Sequence, residues 1–146
     1  MSKQVSKLLG VLVAVLVFGQ AVGQQMEDEV AAGRAMMRAG WDEMIREELP
    51  LTEKEAAGFW PIYEEYRDEM EKITDRYTAM VTDFVRRYDD GDFSDEYAEE
   101  LLESFFGIKR ELLDVRVKYI PRFKEALPAL KVAQFYQLEN KINAEI

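Results

Sequence analysis

One stretch of the chain carries large apolar residues at alternating steps of four and three, and it constrains the fold more than any other feature. The residues of this long seam are Phe59, Tyr63, Tyr66, Met70, Ile73, Tyr77, Met80 and Phe84. Such spacing places them all on one side of an α-helix, as the a and d positions of a heptad do. The helix predicted from Glu53 to about Tyr88 would be about 54 Å long, and it therefore needs a partner helix along the seam.

A partner is predicted from Asp95 towards Ala126, where a second seam has alternating steps of three and four. Its residues are Ala98, Leu101, Phe105, Ile108, Leu112, Val115 and Tyr119. A further apolar row widens the stripe and should touch another neighbour: Leu102, Phe106, Leu113, Val117 and Ile120. A short acidic turn at Gly91, followed by Ser94 as an N-cap, joins the two long helices and predicts an antiparallel hairpin.

Two shorter helices complete the predicted fold. The fold is all-α with four helices, and it forms an elongated hairpin around the two long central helices. The first short helix runs from Met26 to Leu49, with an apolar stripe of Val30, Met37, Trp41 and Met44. The last runs from Ala129 to Ile146 and is expected to bury Leu130, Phe135, Leu138 and Ile142. Because both are too short to cover the long pair, we expect an antiparallel homodimer. Prolines 61 and 121 are each expected to bend their helix.

A short motif opens the second helix and recurs at the start of the last one. The first copy contains Leu51, Thr52, Glu55, Phe59 and Trp60. At one fixed offset, the second contains Leu127, Pro128, Lys131, Phe135 and Tyr136. Thr52 and Glu55 have the spacing of a capping box, and Pro128 is expected at the first helical position, which tolerates a missing N–H. Chance similarity between two unrelated helix starts is the alternative.

The first residues have the composition of a secretory signal peptide. Lys3 and Lys7 precede an apolar run from Leu8 to Phe18, and small residues follow at Ala21 and Gly23. As a helix that run would span about 16 Å, against about 30 Å for the hydrocarbon core of a bilayer. We therefore predict a signal peptide over 1–23, no permanent membrane anchor, and one exported domain over 24–146.

The chain resembles the Spy/CpxP superfamily of periplasmic stress proteins in four features. These are the Leu-Thr-x-x-Glu opening, the Leu-Pro-x-x-Lys copy, the export signal and the highly charged helical sequence. That family is marked by two LTxxQ motifs, and the resemblance covers residues 26–146. This chain differs from the pattern at Glu55 and Lys131, which replace glutamine, and at Pro128, which replaces threonine. The resemblance implies a periplasmic location and a chaperone or adaptor function.

The distribution of charge limits the partners of the chain. The formal net charge is −10, so nucleic acid and anionic membranes are poor partners. From Lys109 to Lys131, however, basic residues outnumber acidic ones. They either complement the dipole of their own helix and the acidic first helix or attract acidic or unfolded polypeptides. In the second interpretation the binding residues are Arg116, Lys118, Tyr119, Arg122, Phe123 and Lys124.

The residue types required for most catalytic chemistry are missing. The sequence has no histidine and no cysteine, which excludes His-based triads, thiolate nucleophiles and soft-metal sites. Without disulfides, an exported domain depends on packing alone or on a second copy of itself. We predict no enzyme, no catalytic residue, no cofactor and no metal site.

Three classes of function remain. The first is a periplasmic chaperone-like or envelope-stress protein that binds unfolded or partner polypeptides on a curved helical surface. The second is a periplasmic signalling adaptor or sensor that docks on a membrane-bound regulator. The third is a structural helical protein without a client. Only the first class predicts suppression of aggregation by stoichiometric amounts of protein, so that assay separates it from the other two.

Overall fold

The computed structural model describes residues 24–25 and 28–145, and all regular structure in these ranges is α-helical. The helices are α1 (28–48), α2 (Glu53–Asp90), α3 (Asp95–Ala126) and α4 (Ala129–Glu145). The prediction of an all-α fold with four helices is confirmed. The predicted signal peptide and the side chain of Ile142 lie outside what is described. Within the described residues, no helix combines the length and the apolar character needed to cross a membrane.

The described residues fall into two compact units, one that ends at Glu48 and one that begins at Leu49. Within the described part of the first unit, α1 is a single helix. Its predicted apolar stripe is largely exposed: Val30 and Met37 are each more than half exposed and Met44 is also exposed, whereas Trp41 is half-buried. The second unit contains α2, α3 and α4 together with the apolar core described below.

Helix α2 begins and ends where the sequence predicts caps. The Thr52 hydroxyl accepts a hydrogen bond from the Glu55 amide at 3.2 Å, and the Glu55 carboxylate accepts one from the Thr52 amide at 2.8 Å. This is the predicted capping box. At the other end Gly91 has φ 71°, a left-handed conformation that glycine adopts without steric cost. The helix ends at Asp90, slightly beyond the predicted end at Tyr88.

Replacing Thr52 with alanine is expected to lower the free energy of unfolding by roughly 1 kcal/mol, the usual cost of losing an N-cap acceptor. The Thr52→Ser variant keeps the hydroxyl and should retain most of the stability. Urea unfolding followed by circular dichroism measures both effects. An alanine variant with the unfolding midpoint of the wild type would mean that the capping box does not contribute to stability.

Helices α2 and α3 contact each other along most of their length. Phe84 of α2 contacts Phe93 in the turn. Within the two helices, ring contacts pair Phe59 with Phe123, Tyr66 with Tyr119 and Tyr77 with Phe105. Residue numbers thus rise along α2 as they fall along α3. All members of the long seam are buried or half-buried, which confirms that it faces inward. Both helices continue through their internal prolines. The bends expected at these prolines remain predictions.

Near the start of α2 the backbones of α2 and α3 come close together. A Cβ atom built on Gly58 would lie 2.9 Å from the Cβ atom of Ala126. That separation is too short for two carbon atoms, so the approach depends on the missing side chain of Gly58. Ser94 caps α3 as predicted, accepting a hydrogen bond from the Tyr97 amide at 3.2 Å.

Helix α4 corrects two details of the sequence analysis. Pro128 immediately precedes the helix instead of occupying its first position, and its carbonyl accepts a hydrogen bond from Val132 at 3.1 Å. Leu130, predicted to face inward, is 71% exposed. The inner face of α4 is formed by Val132, Phe135 and Glu139. Leu130 and Phe135 are five residues apart and hence point about 140° away from each other around the helix.

Candidate functional site

The two motif copies meet in space at equivalent positions. Lys131 donates hydrogen bonds to the Glu55 carboxylate at 2.6 Å and to the Pro50 carbonyl at 2.9 Å, although Glu55 and Lys131 are 76 residues apart in sequence. The Lys131 ammonium and the Thr52 amide hold the pKa of the Glu55 carboxyl below its ordinary value. Glu55 and Lys131, the two departures from glutamine, therefore form an ion pair with each other.

The motif aromatics lie in a cluster of rings at the junction of α2, α3 and α4. The cluster is fully buried and consists of Phe59, Tyr63, Tyr66, Tyr119, Phe123 and Phe135. Phe59 and Phe135, which occupy equivalent motif positions, have ring centroids 5.4 Å apart. Leu127 is buried, whereas Leu51, Trp60 and Tyr136 are half-buried at the edge. The structure therefore places the motif residues predicted from sequence at a helix junction.

A buried carboxylate, Glu139, lies beside this cluster. It accepts hydrogen bonds from the Tyr66 hydroxyl and from Arg116 Nε, the latter at 3.0 Å. The Tyr136 hydroxyl donates to the Arg116 carbonyl at 2.8 Å. Burial and the nearby Glu139 charge raise the pKa values of Tyr66 and Tyr136, so both hydroxyls remain hydrogen-bond donors. Glu139 was not among the residues predicted from the sequence, although its spacing from Val132 and Phe135 places it on the inner face of α4.

The basic residues predicted to bind a partner have acidic partners in the same chain. Besides the Arg116–Glu139 pair, Lys118 binds Glu69 at 2.8 Å and Arg122 binds Glu65 at 2.6 Å. These contacts lower the pKa values of both α2 carboxyls. Lys124 is exposed. Three of these four cations therefore form ion pairs within their own chain. Their partners lie on α2 and α4, whereas the sequence had indicated the acidic first helix.

The predicted aromatic rim does not lie on the surface. Phe123 is fully buried, and Tyr119 is buried with its hydroxyl donating to Glu69 at 2.8 Å. Burial and this contact raise the pKa of Tyr119 to about 12. Tyr119 belongs to the α3 seam, and Phe123 follows it by one helical turn. Both rings face α2 for that reason.

One uncovered apolar feature is the second row of α3, here called the α3 row. Its members are 39 to 58% exposed: Leu102, Phe106, Leu113, Val117 and Ile120. Further exposed apolar side chains occur at the α2 end near the turn, at Val81, Val85 and Tyr88. Uncovered rows of this kind usually mark interaction surfaces.

On another side of the helix pair, an interhelical groove of about 610 Å³ runs between α2 and α3. Its apolar floor contains Met80, Leu101 and Ile108. Its lining also includes two arginines, and both are engaged: Arg76 with Glu111, and Arg87 with Asp83 and Asp92. The carboxylates of Glu100 and Glu103 line the groove on the α3 side.

Within the described residues there is no group of three or more acidic, histidine or cysteine side chains that could hold a metal ion. Comparison of the chain with protein-family models, curated sequences and solved structures gives no match. The resemblance to the Spy/CpxP superfamily therefore depends on the motif residues, the predicted signal and the helical pattern.

Proposed function

We propose that this protein binds other polypeptides in a chaperone-like or envelope-stress function, and that it works as an antiparallel homodimer. The α3 row is the observation that carries the proposal, because five large apolar side chains on one side of a helix remain in water. Burying apolar surface is worth about 25 cal/mol per Å². A polypeptide that covers the row gains this free energy on binding.

The row is complementary to itself. Leu102 and Val117 are equally distant from the midpoint of the Lys109–Arg110 bond, and so are Phe106 and Leu113. An antiparallel pair of α3 helices centred on that midpoint would place Leu102 against Val117 of the partner subunit and Phe106 against Leu113 of the partner subunit. Such a contact uses the same surface on both copies, as a two-fold symmetric dimer requires.

Charge favours the same register. In α3, the residues before Gly107 include acidic but no basic side chains, and all basic residues of the helix follow Gly107. An antiparallel pair brings the acidic half of one helix against the basic half of the other, with Asp95 beside Lys124 of the partner subunit. In this register Ile120 would lie against a glutamate of the partner subunit. Arg110 would lie close to Arg110 of the partner subunit. These two contacts oppose the pairing at the rim and near the axis.

Disulfide crosslinking tests the dimer directly, because the natural chain has no cysteine. We expect a mixture of the Phe106→Cys and Leu113→Cys variants to form a mixed disulfide, since these positions oppose each other across the interface. Each variant alone should crosslink weakly, and Ser104→Cys, exposed on another side of α3, serves as the control. A compact monomer in sedimentation at micromolar concentration contradicts the dimer.

Aggregation assays test the chaperone-like function. The purified protein is expected to suppress aggregation of an unfolded client at stoichiometric amounts. A stable dimer without suppression of aggregation would instead favour the adaptor function, in which a membrane-bound regulator is the partner.

The proposed periplasmic location is tested by mass spectrometry of the exported protein. The measured mass should correspond to a chain that starts near Gln24, and full-length protein in the membrane would contradict the proposed location.

A further inference from the structure

We propose that the interhelical groove binds a basic, amphipathic polypeptide segment. This inference rests on the proposed polypeptide-binding function and names a site and a partner chemistry for it. The groove has a volume of about 610 Å³, within the range of about 300 to 1,000 Å³ typical of ligand sites. Leu101 and Ile108 lie along its floor about 10 Å apart, which suits an extended or helical segment better than a small molecule.

The groove is open above the middle of α3, where Gly107 lines it without a side chain. A Cβ atom built at Gly107 would have no other atom within 4 Å. Glycine inside a helix costs about 1 kcal/mol relative to alanine, and here no close approach to another helix requires it. The space above Gly107 therefore remains available to apolar side chains of a bound segment.

The charge of the groove selects a cationic partner. Its two arginines are already paired with carboxylates of the same chain. Glu100 and Glu103 line it, and the neighbouring inter-helix turn is also acidic. Lysine or arginine side chains of a partner could pair with these two carboxylates while its apolar side chains contact Met80 and Ile108.

The groove and the α3 row are separate surfaces, so one does not compete with the other. Glu100 and Leu102 are two residues apart and therefore point about 160° away from each other around α3. A dimer formed through the α3 row would leave the Glu100 side of the groove uncovered. The two proposals can therefore be tested on the same protein by different measurements.

The test uses a fluorescent helical peptide of leucine and lysine, with a matched peptide of leucine and glutamate as its control. Fluorescence anisotropy with purified protein should show binding of the lysine peptide alone. Gly107→Leu fills the groove and should weaken binding at least about tenfold, equivalent to about 1.4 kcal/mol. Gly107→Ala, which adds one methyl group, should have a much smaller effect. Both substitutions favour the helix, so neither is expected to prevent folding.

Charge variants separate groove binding from general attraction. The Glu100→Gln/Glu103→Gln variant should bind the lysine peptide roughly threefold more weakly at low salt, as expected for two exposed ion pairs, and the difference should shrink at high salt. Asp114→Asn/Glu125→Gln removes the same charge from exposed positions of α3 outside the groove. Equal losses in the two variants, or full binding by Gly107→Leu, overturn the groove proposal.

Crosslinking and aggregation assays on the same preparations keep the two proposals distinct. If the wild type dimerises and suppresses aggregation but does not bind the lysine peptide, the groove proposal is wrong and the proposed function stands. If the wild type binds the peptide through the groove but neither dimerises nor suppresses aggregation, the groove is supported and the proposed function is wrong.

Discussion

Replacing Phe135 with alanine is expected to lower the free energy of unfolding by about 4 kcal/mol, within the usual range for a buried phenylalanine. Its ring contacts those of Phe59 and Phe123, with centroids 5.4 and 4.9 Å away, and it also touches two tyrosines of α2. Truncation removes these contacts and leaves a cavity where three helices meet. Because many rings share the cavity, the surroundings can close it only in part.

Urea unfolding of the Phe135→Ala variant measures this loss. Leu130→Ala is a matched control on the same helix, because Leu130 is 71% exposed and its truncation should change stability by less than about 0.5 kcal/mol. Similar effects at the two positions would mean that α4 is not held by the aromatic cluster. Phe135→Leu, which keeps most of the apolar volume, should lie between the wild type and the alanine variant.

Replacing Glu139 with alanine is expected to cost about 3 kcal/mol, because the substitution leaves the partners of a buried carboxylate without an acceptor. Arg116 would lose its counter-charge, and the Tyr66 hydroxyl would lose its hydrogen bond in a site closed to water. Arg116 is partly exposed, so its charge can be solvated in part. For that reason the expected loss is at the lower end of the range for a broken buried ion pair.

Two further variants separate the contributions of the Arg116 ion pair and the Tyr66 hydrogen bond to the loss of stability. Glu139→Gln keeps an acceptor for Tyr66 but removes the charge facing Arg116, and Tyr66→Phe removes the hydroxyl alone. Together they form a double-mutant cycle, which measures the coupling between the two groups. Gln137→Ala, at an exposed position of α4, is the control. A stability of Glu139→Ala equal to that of this control would show that the carboxylate does not hold α4 in place.

The elements that depend on local spacing could be predicted from the sequence. The long seam identifies the inner side of α2, because residues three and four apart share one side of a helix. The Thr52 cap and the Gly91 turn depend only on a few adjacent residues, and the structure confirms both. The α3 row was also predicted as a second stripe, since its spacing differs from that of the seam.

Features that depend on the register between helices could not be predicted in this way. Periodicity does not indicate that Lys118 lies opposite Glu69, or Arg122 opposite Glu65, since those pairs form between helices far apart in sequence. The burial of Tyr119 was predictable, because it belongs to a seam as well as to the basic segment. The interhelical groove was missed because it depends on the distance between two helices, which helical periodicity does not give.

The uneven burial along the α2–α3 pair also affects its dynamics. Buried rings lie at the end where α4 packs, whereas Val81, Val85 and Tyr88 near the turn are exposed. Segments with few buried contacts open at a lower free energy than the core. Amide hydrogens near the turn should therefore exchange by local fraying, while those around the ring cluster exchange only on global unfolding. The groove lies nearer to the end of the helix pair that has fewer buried contacts. Its walls are therefore free to adjust to segments of different shape.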